Sequence, residues 1–275
     1  MVDRVKIAEH YGDGSLTERL QAAIATEGLE NCALSVENLA PLDHFHSRGL
    51  AATVDLARLL KIDSTSRILD IGSGLGGPSR YLAKNYGCMV EGVDLSQSFV
   101  DAARFLARAT GLTDKVMYRQ ADALALPFAE EMFDIAWTQH VAMNIADRTT
   151  LYREAYRVLR RGGRLGIYDV VEGSGAPLHF PVPWASTSDS SFLITAECMQ
   201  RQLIEQGFRV QAWEDCTQEG IAWFDEFERL PDQPLLFPRL GLQVVMGPKF
   251  PAMTRNLFRN LREGKALLIM TVLEK

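Results

Sequence analysis

The feature that most constrains this chain is an apolar strand that leads into a glycine-rich loop, at residues 67–78 with the sequence RILDIGSGLGGP. Gly72 and Gly74 belong to two overlapping patterns. With Gly77 they form G-x-G-x-x-G, which is typical of dinucleotide-binding folds, and with Gly76 they complete D-x-G-x-G-x-G. The stretch therefore predicts a nucleotide-type cofactor held where a strand turns into a helix.

The acid of this loop, Asp70, distinguishes the two patterns. A dinucleotide places its pyrophosphate at the helix N-terminus, where backbone N–H groups and the helix dipole favour negative charge. A carboxylate two residues before Gly72 would repel that anion. The same carboxylate suits a cofactor with a cationic group near the loop, such as the ammonium of S-adenosylmethionine.

Strand-like and helical patterns alternate along most of the chain. Seven strand-like runs begin near Arg67, Met89, Val116, Phe133, Arg164, Arg209 and Ala266. Such alternation is typical of a parallel sheet covered by helices. We therefore predict an α/β fold, with a Rossmann-like, seven-stranded, mostly parallel sheet and helices on both faces.

The length of 275 residues suits one domain with additions rather than two independent domains. We predict a single domain, 1–275, with an N-terminal helical arm at 1–49 and a cofactor-binding core at 50–173. A substrate-side half follows at 174–275. Its insertion at about 217–265 is rich in Phe and Pro, separates the last two strands, and is expected to form a lid.

Composition excludes several classes of protein. The net charge is −6, and no block of Lys or Arg is present to bind nucleic acid or an anionic membrane. The first ten residues lack the apolar segment of a signal peptide. We expect a cytoplasmic monomer or homodimer with no metal site and reduced thiols, because the cysteines lie far apart in the chain. They are Cys32, Cys88, Cys198 and Cys216.

Two further acids follow successive predicted strands. Asp94 ends the second strand, 18 residues after Gly76, where an acid accepts hydrogen bonds from both ribose hydroxyls. Asp122 follows the third strand. Either acid alone is more often a loop cap than a ligand. The ordered set of Asp70, the glycines, Asp94 and Asp122 favours S-adenosylmethionine as the cofactor.

From about residue 65 to residue 173 the chain resembles the class I S-adenosylmethionine-dependent methyltransferases of the type 11 group. The resemblance includes the fourth strand at 133–137 (FDIAW) and the turn at 159–165 (LRRGGRL). Segments 42–49 (LDHFHSRG) and 139–145 (QHVAMNI) look most like the sarcosine/dimethylglycine kind of member. The resemblance implies methyl transfer to a small molecule, at N, O or C, with S-adenosylhomocysteine as the second product.

The resemblance also implies the cofactor-binding residues, among which the Asp122 carboxylate and a neighbouring N–H contact adenine. They are Asp70, Gly72, Ser73, Gly74, Gly76, Asp94, Leu95, Asp122, Ala123 and Gln139. For the methyl acceptor we predict contacts from the arm, from the segment after the fourth strand and from the insertion after the fifth. These candidates are Tyr11, His46, Asn144, His179 and Trp184.

The candidate catalytic residue is His140, two residues beyond Thr138 near the end of the fourth strand. Many relatives carry His where this chain has Asn144, so their assignment does not transfer. Transfer from a sulfonium mainly requires alignment of the nucleophile with the methyl group. A base helps where the acceptor is protonated, and a His with a pKa near 6.5 suits that task. The alternative interpretation of His140 is a half-buried imidazole bonded to a backbone carbonyl.

Two other functions are compatible with parts of the pattern. A nicotinamide-dependent oxidoreductase would account for the glycines and Asp94, but it leaves Asp70 unfavourable and Asp122 unexplained. A cofactor-binding protein without catalysis on the same fold is the other alternative.

Overall fold

The structure, a computed structural model, describes residues 16–29, 34–228 and 240–275. The helices of these residues are α1 (Leu16–Thr26), α2 (Val36–Asp43), α3 (Gly49–Leu59), α4 (Gly77–Tyr86), α5 (Gln97–Ala109), α6 (Arg148–Val158), α7 (Ala196–Glu205), α8 (Thr217–Glu228), α9 (Gln243–Met246) and α10 (Phe250–Arg262). The strands are β1 (Arg67–Ile71), β2 (Met89–Asp94), β3 (Val116–Gln120), β4 (Phe133–Gln139), β5 (Leu159–Glu172), β6 (Arg209–Asp215) and β7 (Ala266–Glu274).

The strands form a seven-stranded sheet in the order β3-β2-β1-β4-β5-β7-β6. All neighbours are parallel except β7, which runs antiparallel to both β5 and β6. The predicted mostly parallel, Rossmann-like sheet is confirmed. The carboxyl ends of β1 to β4 therefore meet at one edge, where ligands of such sheets bind.

Strand β5 begins earlier than predicted, at Leu159 rather than near Arg164. Leu159 pairs with Phe133, and the ladder resumes with Arg164 beside Ile135 after an irregularity. The residues between them are held by the last residue of the chain, because the Gly162 N–H donates to the carbonyl of Lys275. The strand therefore continues through a glycine turn that the sequence pattern marks as a break.

Helices pack on both faces of the sheet, as predicted. On one face, Leu56 of α3, Leu82 of α4 and Phe258 of α10 share a buried cluster with strand residues such as Trp137. On the other face, α6 and α7 cover a cluster that includes Leu69 of β1. Side chains alternate between the faces because successive strand residues point in opposite directions.

The described part of the arm and of the late insertion packs against the core. Helices α1 and α2 bury Leu20 and Leu39 in a third cluster with Phe99 of α5. In the insertion, Phe224 of α8 belongs to the cluster under α10. None of the insertion's described residues lines the cavity discussed below, and the lid stays a prediction. No described helix has the length and apolar character needed to cross a membrane.

Candidate active site

The glycine loop turns sharply at the end of β1. The N–H groups of Gly72 and Ser73 both donate to the carbonyl of Val93, at 2.8 and 2.9 Å, which joins the loop to β2. Gly72 has a φ of 75°, and a Cβ there would overlap the Val141 side chain. Glycine is therefore required both for the backbone conformation and for the close approach of the segment after β4.

Asp70 lies beneath this loop rather than on the cavity wall. Its Oδ2 accepts a hydrogen bond from Ser79 Oγ at 2.6 Å, which joins β1 to the first turn of α4. Burial raises the pKa of the Asp70 carboxyl to about 7, and the nearby charge of Asp94 adds to this effect. Ser73 and Gly76 also lie away from the cavity wall. These three cofactor candidates therefore do not line the cavity.

The raised pKa of Asp70 predicts a pH-dependent cost to stability. The folded state holds the proton more tightly than the unfolded chain, so ionisation destabilises the fold as pH rises from about 4 through about 7. Asp70→Asn removes the ionisation and keeps an oxygen for Ser79. We expect its free energy of unfolding to exceed that of the wild type by a margin that grows between pH 5 and pH 8, to a few kcal/mol. Urea unfolding of both proteins measures it, and a margin independent of pH would contradict the assignment.

Asp94 ends β2 and lines the cavity at the carboxyl edge of the sheet. Its Oδ2 accepts the N–H of Gly74 and its Oδ1 accepts the N–H of Ser96, both at 2.9 Å. Burial raises the pKa of Asp94, while these two donors lower it. Each carboxylate oxygen is oriented by one backbone donor and has a further lone pair for a ligand hydroxyl.

Three further cofactor candidates lie beside Asp94 on the cavity wall: Leu95, Asp122 and Ala123. The carbonyl of Asp94 accepts the N–H of Ala121 at 2.9 Å, which joins the end of β2 to the segment after β3. Asp122 is oriented by the N–H of Leu124, which donates to its Oδ1 at 2.9 Å. The structure thus brings Gly72, Gly74, Asp94, Leu95, Asp122, Ala123 and Gln139 to one wall.

The cavity has a volume of about 360 Å³. It extends from these residues past the end of β4 towards the segment that follows β5. This second part is mainly apolar and includes Phe45, Met143, Asn144, Ile145, Pro183 and Trp184. A pocket of mainly apolar lining with a few polar groups is typical of small-molecule sites.

His140 lines the cavity directly after β4 with a φ of 52°, a conformation that is uncommon outside glycine. The backbone N–H of His140 donates to the backbone carbonyl of Tyr168 at 2.8 Å. The imidazole stacks on the Tyr168 ring, with the ring centroids 5.2 Å apart. Burial lowers the pKa of His140 to about 3. The expectation of a base with a pKa near 6.5 is thus corrected: the imidazole is neutral at working pH.

The predicted acceptor contacts divide into two groups. Asn144 and Trp184 line the cavity, with Asn144 Nδ2 donating to the carbonyl of Val141 at 3.3 Å. His46 lies one layer behind, with its ring 6.0 Å from that of His140. His179 is not brought to the cavity, because Glu263 and Lys265 hold its Nε2 at 2.7 and 2.9 Å. Tyr11 lies outside the described residues.

The sequence interpretation missed the residues that hold this wall in place. Asp169 of β5 is fully buried, and its Oδ2 accepts the N–H of Ala142 at 3.0 Å. Arg148 donates to the carbonyls of Ile145 and Phe192, at 3.1 and 2.9 Å. These bonds fix the segment after β4 against the segment after β5. A buried Asp within an apolar strand was the available signal for such a role.

Comparison with known proteins identifies the family. Residues 69–167 match the family model described as a methyltransferase domain. The methyltransferase GfsG of Streptomyces halstedii is 37% identical over 130 residues, 47% of each chain. The 27-O-demethylrifamycin SV methyltransferase of Amycolatopsis mediterranei is 30% identical over 194 residues, 66% of this chain and 69% of that protein. The chain thus spans about half the length of the first relative and over two thirds of the second.

A solved structure shares the fold of the described residues. Geranyl diphosphate C-methyltransferase from Streptomyces coelicolor, with Mg²⁺, geranyl-S-thiolodiphosphate and S-adenosylhomocysteine, has a TM-score of 0.70 at 17% identity. The superposition covers 100% of this chain and 98% of that one. At this identity the likeness concerns the fold alone. On the sequence relatives, the chain belongs to the S-adenosylmethionine-dependent methyltransferases.

Proposed function

We propose that this chain transfers the methyl group of S-adenosylmethionine to a nucleophilic atom of an uncharged small molecule, and that His140 receives the proton where the nucleophile carries one. The observation that carries the proposal is the oriented carboxylate of Asp94 at the carboxyl edge of β1 to β4. Backbone donors from Gly74 and Ser96 hold it at 2.9 Å, next to the glycine loop.

The residues of the wall fit this cofactor. Asp94 suits the ribose hydroxyls, and Asp122 with Ala123 suits adenine, because the three lie side by side after β2 and β3. When bound, the cofactor supplies a methyl group already activated on positively charged sulfur. The chain's own task is to align the acceptor and exclude water, which can contribute roughly 7–11 kcal/mol to lowering the barrier.

The nicotinamide alternative has lost its support. The relatives are methyltransferases rather than nicotinamide-dependent enzymes, and the alternative leaves Asp122 unexplained. Binding without catalysis stays as an outcome of the test described below.

The lining supports an uncharged acceptor. Among residues 16–29, 34–228 and 240–275, no Lys or Arg lines the cavity. An anionic acceptor such as a diphosphate would lose its hydration there without a cationic partner, which is strongly unfavourable. Met143, Ile145 and Trp184 instead offer apolar contact. The acceptor that we infer is uncharged. It therefore differs in charge from the diphosphate ligand of the structural neighbour.

An acceptor screen tests the function and the acceptor class together. The library contains alcohols and amines, each in free form and as its phosphate or diphosphate ester, for example geraniol beside geranyl diphosphate. We expect release of S-adenosylhomocysteine with an uncharged member at a rate at least about ten-fold above its phosphorylated partner, since one unpaired buried charge costs more than 1.4 kcal/mol. Release that requires the phosphate would contradict the acceptor class.

Calorimetry with S-adenosylmethionine separates the remaining outcomes of the screen. Binding without release from any acceptor would favour the non-catalytic alternative. Absence of binding would contradict the proposed function altogether.

We further propose that the chain acts as one domain in the cytoplasm, as a monomer or a homodimer. The wide spacing of Cys88, Cys198 and Cys216 in the sequence supports a reducing compartment. The three thiols are free in the described structure. The lid formed by residues 217–265 stays part of this proposal.

A further inference from the structure

His140 lies in a turn that local preference alone would not form. The ladder between β4 and β5 ends with Gln139 level with Tyr168, so the next pair along it would be His140 and Asp169. The chain leaves the ladder at this point, because His140 has a φ of 52°, which residues other than glycine rarely adopt. A strained conformation of this kind persists only where the surrounding structure holds it.

Two consecutive residues of β5 hold this turn from opposite faces of the sheet. Tyr168 faces the cluster under α10, while its backbone carbonyl accepts the His140 N–H and its ring stacks on the imidazole. Asp169 points to the opposite face, as Ile167 does. There its Oδ2 accepts the N–H of Ala142 at 3.0 Å. The turn from His140 to Ala142 is therefore bound at both ends by neighbours in one strand.

The Asp169 carboxylate is directed entirely at backbone N–H groups. Its Oδ2 binds Ala142, and its Oδ1 accepts the N–H of Val170 at 3.1 Å. Burial raises the pKa of Asp169 to about 6, whereas the charge of Arg148 and the two backbone donors lower it. Both protonation states retain an oxygen for the Ala142 N–H, so this contact does not depend on working pH.

Asp169 acts from behind the cavity wall. Its side chain is fully buried and does not line the cavity, whereas His140, Val141 and Met143 do. The carboxylate thus reaches a ligand only through the segment that it holds. A buried carboxylate is unfavourable unless hydrogen bonds compensate it, and the Ala142 bond is one of the two that do so here.

We propose that Asp169 is a positioning residue for His140: through the Ala142 N–H it holds the chain after β4 in the turn that keeps the imidazole at the cavity. The inference rests on the proposed function, since it takes His140 to receive the acceptor's proton. Position is decisive for that task, because a displacement of about 1 Å can cost about a hundred-fold in rate.

NMR titration of the His140 ring tests the positioning without an acceptor. The ring signals are assigned by their loss in His140→Gln. Burial holds the pKa of His140 at about 3, so we expect no titration of the wild-type ring between pH 5 and pH 8. Asp169→Leu has a similar shape but offers Ala142 no acceptor, and we expect the released ring to titrate in that range, near the ordinary value of about 6.5.

Two variants serve as controls for this titration. Asp169→Asn keeps a carbonyl oxygen for Ala142, although it gives up the bond to Val170, and its His140 ring is expected to behave as in the wild type. Thr271→Val removes another fully buried hydrogen bond, from Thr271 Oγ1 to the carbonyl of Ala212 at 2.7 Å, on the neighbouring strand β7. We expect it to leave the His140 ring unchanged.

Kinetics with the acceptor found by the screen measure the consequence for the reaction. We expect Asp169→Leu to lower kcat by about ten- to a hundred-fold, and Asp169→Asn to stay within about three-fold of the wild type. Calorimetry should give S-adenosylhomocysteine affinities within about three-fold of each other, because Asp169 does not line the cavity. In a His140→Ala background, Asp169→Leu is expected to add no further loss of kcat.

Three results would overturn the positioning role. The first is an Asp169→Leu protein whose His140 ring still does not titrate above pH 5. The second is an equal loss of kcat with and without His140, since Asp169 would then act elsewhere. The third is an equal loss in Asp169→Leu and Asp169→Asn.

Hydrogen exchange of the wild type decides the matter if Asp169→Leu does not fold. The Ala142 amide is expected to exchange far more slowly than that of Ala146, which is exposed. Equal exchange rates at the two amides would exclude a lasting bond to Asp169. Absence of methyl transfer by the wild type would instead contradict the proposed function, while the titration of the ring still decides the position of His140.

Discussion

Replacement of His140 by alanine is expected to lower kcat by about a hundred- to ten-thousand-fold while affinity for S-adenosylmethionine stays near that of the wild type. The imidazole lines the cavity at the end of β4, and its Nε2 is buried without a partner in the described structure. A neutral nitrogen there can accept the proton of a hydroxyl nucleophile. Its low basicity suffices because the positive charge passes from sulfur to the attacking oxygen as the O–CH₃ bond forms and the S–CH₃ bond breaks, which makes the hydroxyl proton strongly acidic.

The pH profile is a separate readout of the same residue. Burial lowers the pKa of His140 to about 3, so the imidazole is neutral from about pH 4 upward and its ability to accept a proton does not change between pH 5 and pH 9. We expect the plot of wild-type kcat against pH to show no inflection near pH 6.5 that is lost in the His140→Ala variant. Steady-state kinetics across that range, with the acceptor found by the screen, measures this.

His140→Gln distinguishes proton transfer from orientation of the acceptor. Glutamine retains a polar side chain of similar reach but is not a base. A large loss of kcat in both variants is the expected result. If His140→Gln keeps most of the activity and the change falls on KM, the residue orients the acceptor. Wild-type kinetics in His140→Ala would leave the structural interpretation, an imidazole packed on Tyr168, as the better one.

The sheet was predictable because each strand begins where the pattern of apolar and polar residues along the chain changes. The runs at Arg67, Met89, Val116 and Phe133 are short and are separated by helical patterns. The positions of Asp94 and Asp122 on the cavity wall were predictable for the same reason, since both acids follow successive strands, and the topology that places those strand ends side by side is general to such sheets. These local rules suffice to place both acids at the cavity.

The rest of the site depends on long-range packing that leaves no periodic signal. Asp70 has the expected sequence position, but its carboxylate turns to Ser79 below the loop. The proline-rich insertion predicts His179 as a pocket residue, but its ring contacts Glu263, just after α10, and it does not line the cavity. A chain of hydrogen bonds from His46 through Thr53 to Gln139 joins residues up to 93 positions apart in the chain.

Replacement of Asp94 by alanine is expected to weaken cofactor affinity by about ten- to a hundred-fold. The carboxylate accepts two backbone N–H groups and is assigned the ribose hydroxyls, and a hydroxyl that loses a charged acceptor costs about 1.5–3 kcal/mol. The control is Asp101→Ala, which removes the same charge from the outward side of α5, where the Asp101 side chain is 54% exposed. We expect that control to bind as the wild type does.

Asp94 also orients the loop, because its oxygens hold the N–H groups of Gly74 and Ser96, so alanine disturbs both the ligand contact and the backbone. Asp94→Asn separates the two effects. Its single carbonyl oxygen still accepts one N–H and one hydroxyl, and we expect an affinity between those of the wild type and Asp94→Ala. Calorimetry with S-adenosylhomocysteine measures the series. Wild-type affinity in a correctly folded Asp94→Ala protein would contradict the ribose assignment, since the buried hydroxyls would then have an acceptor elsewhere.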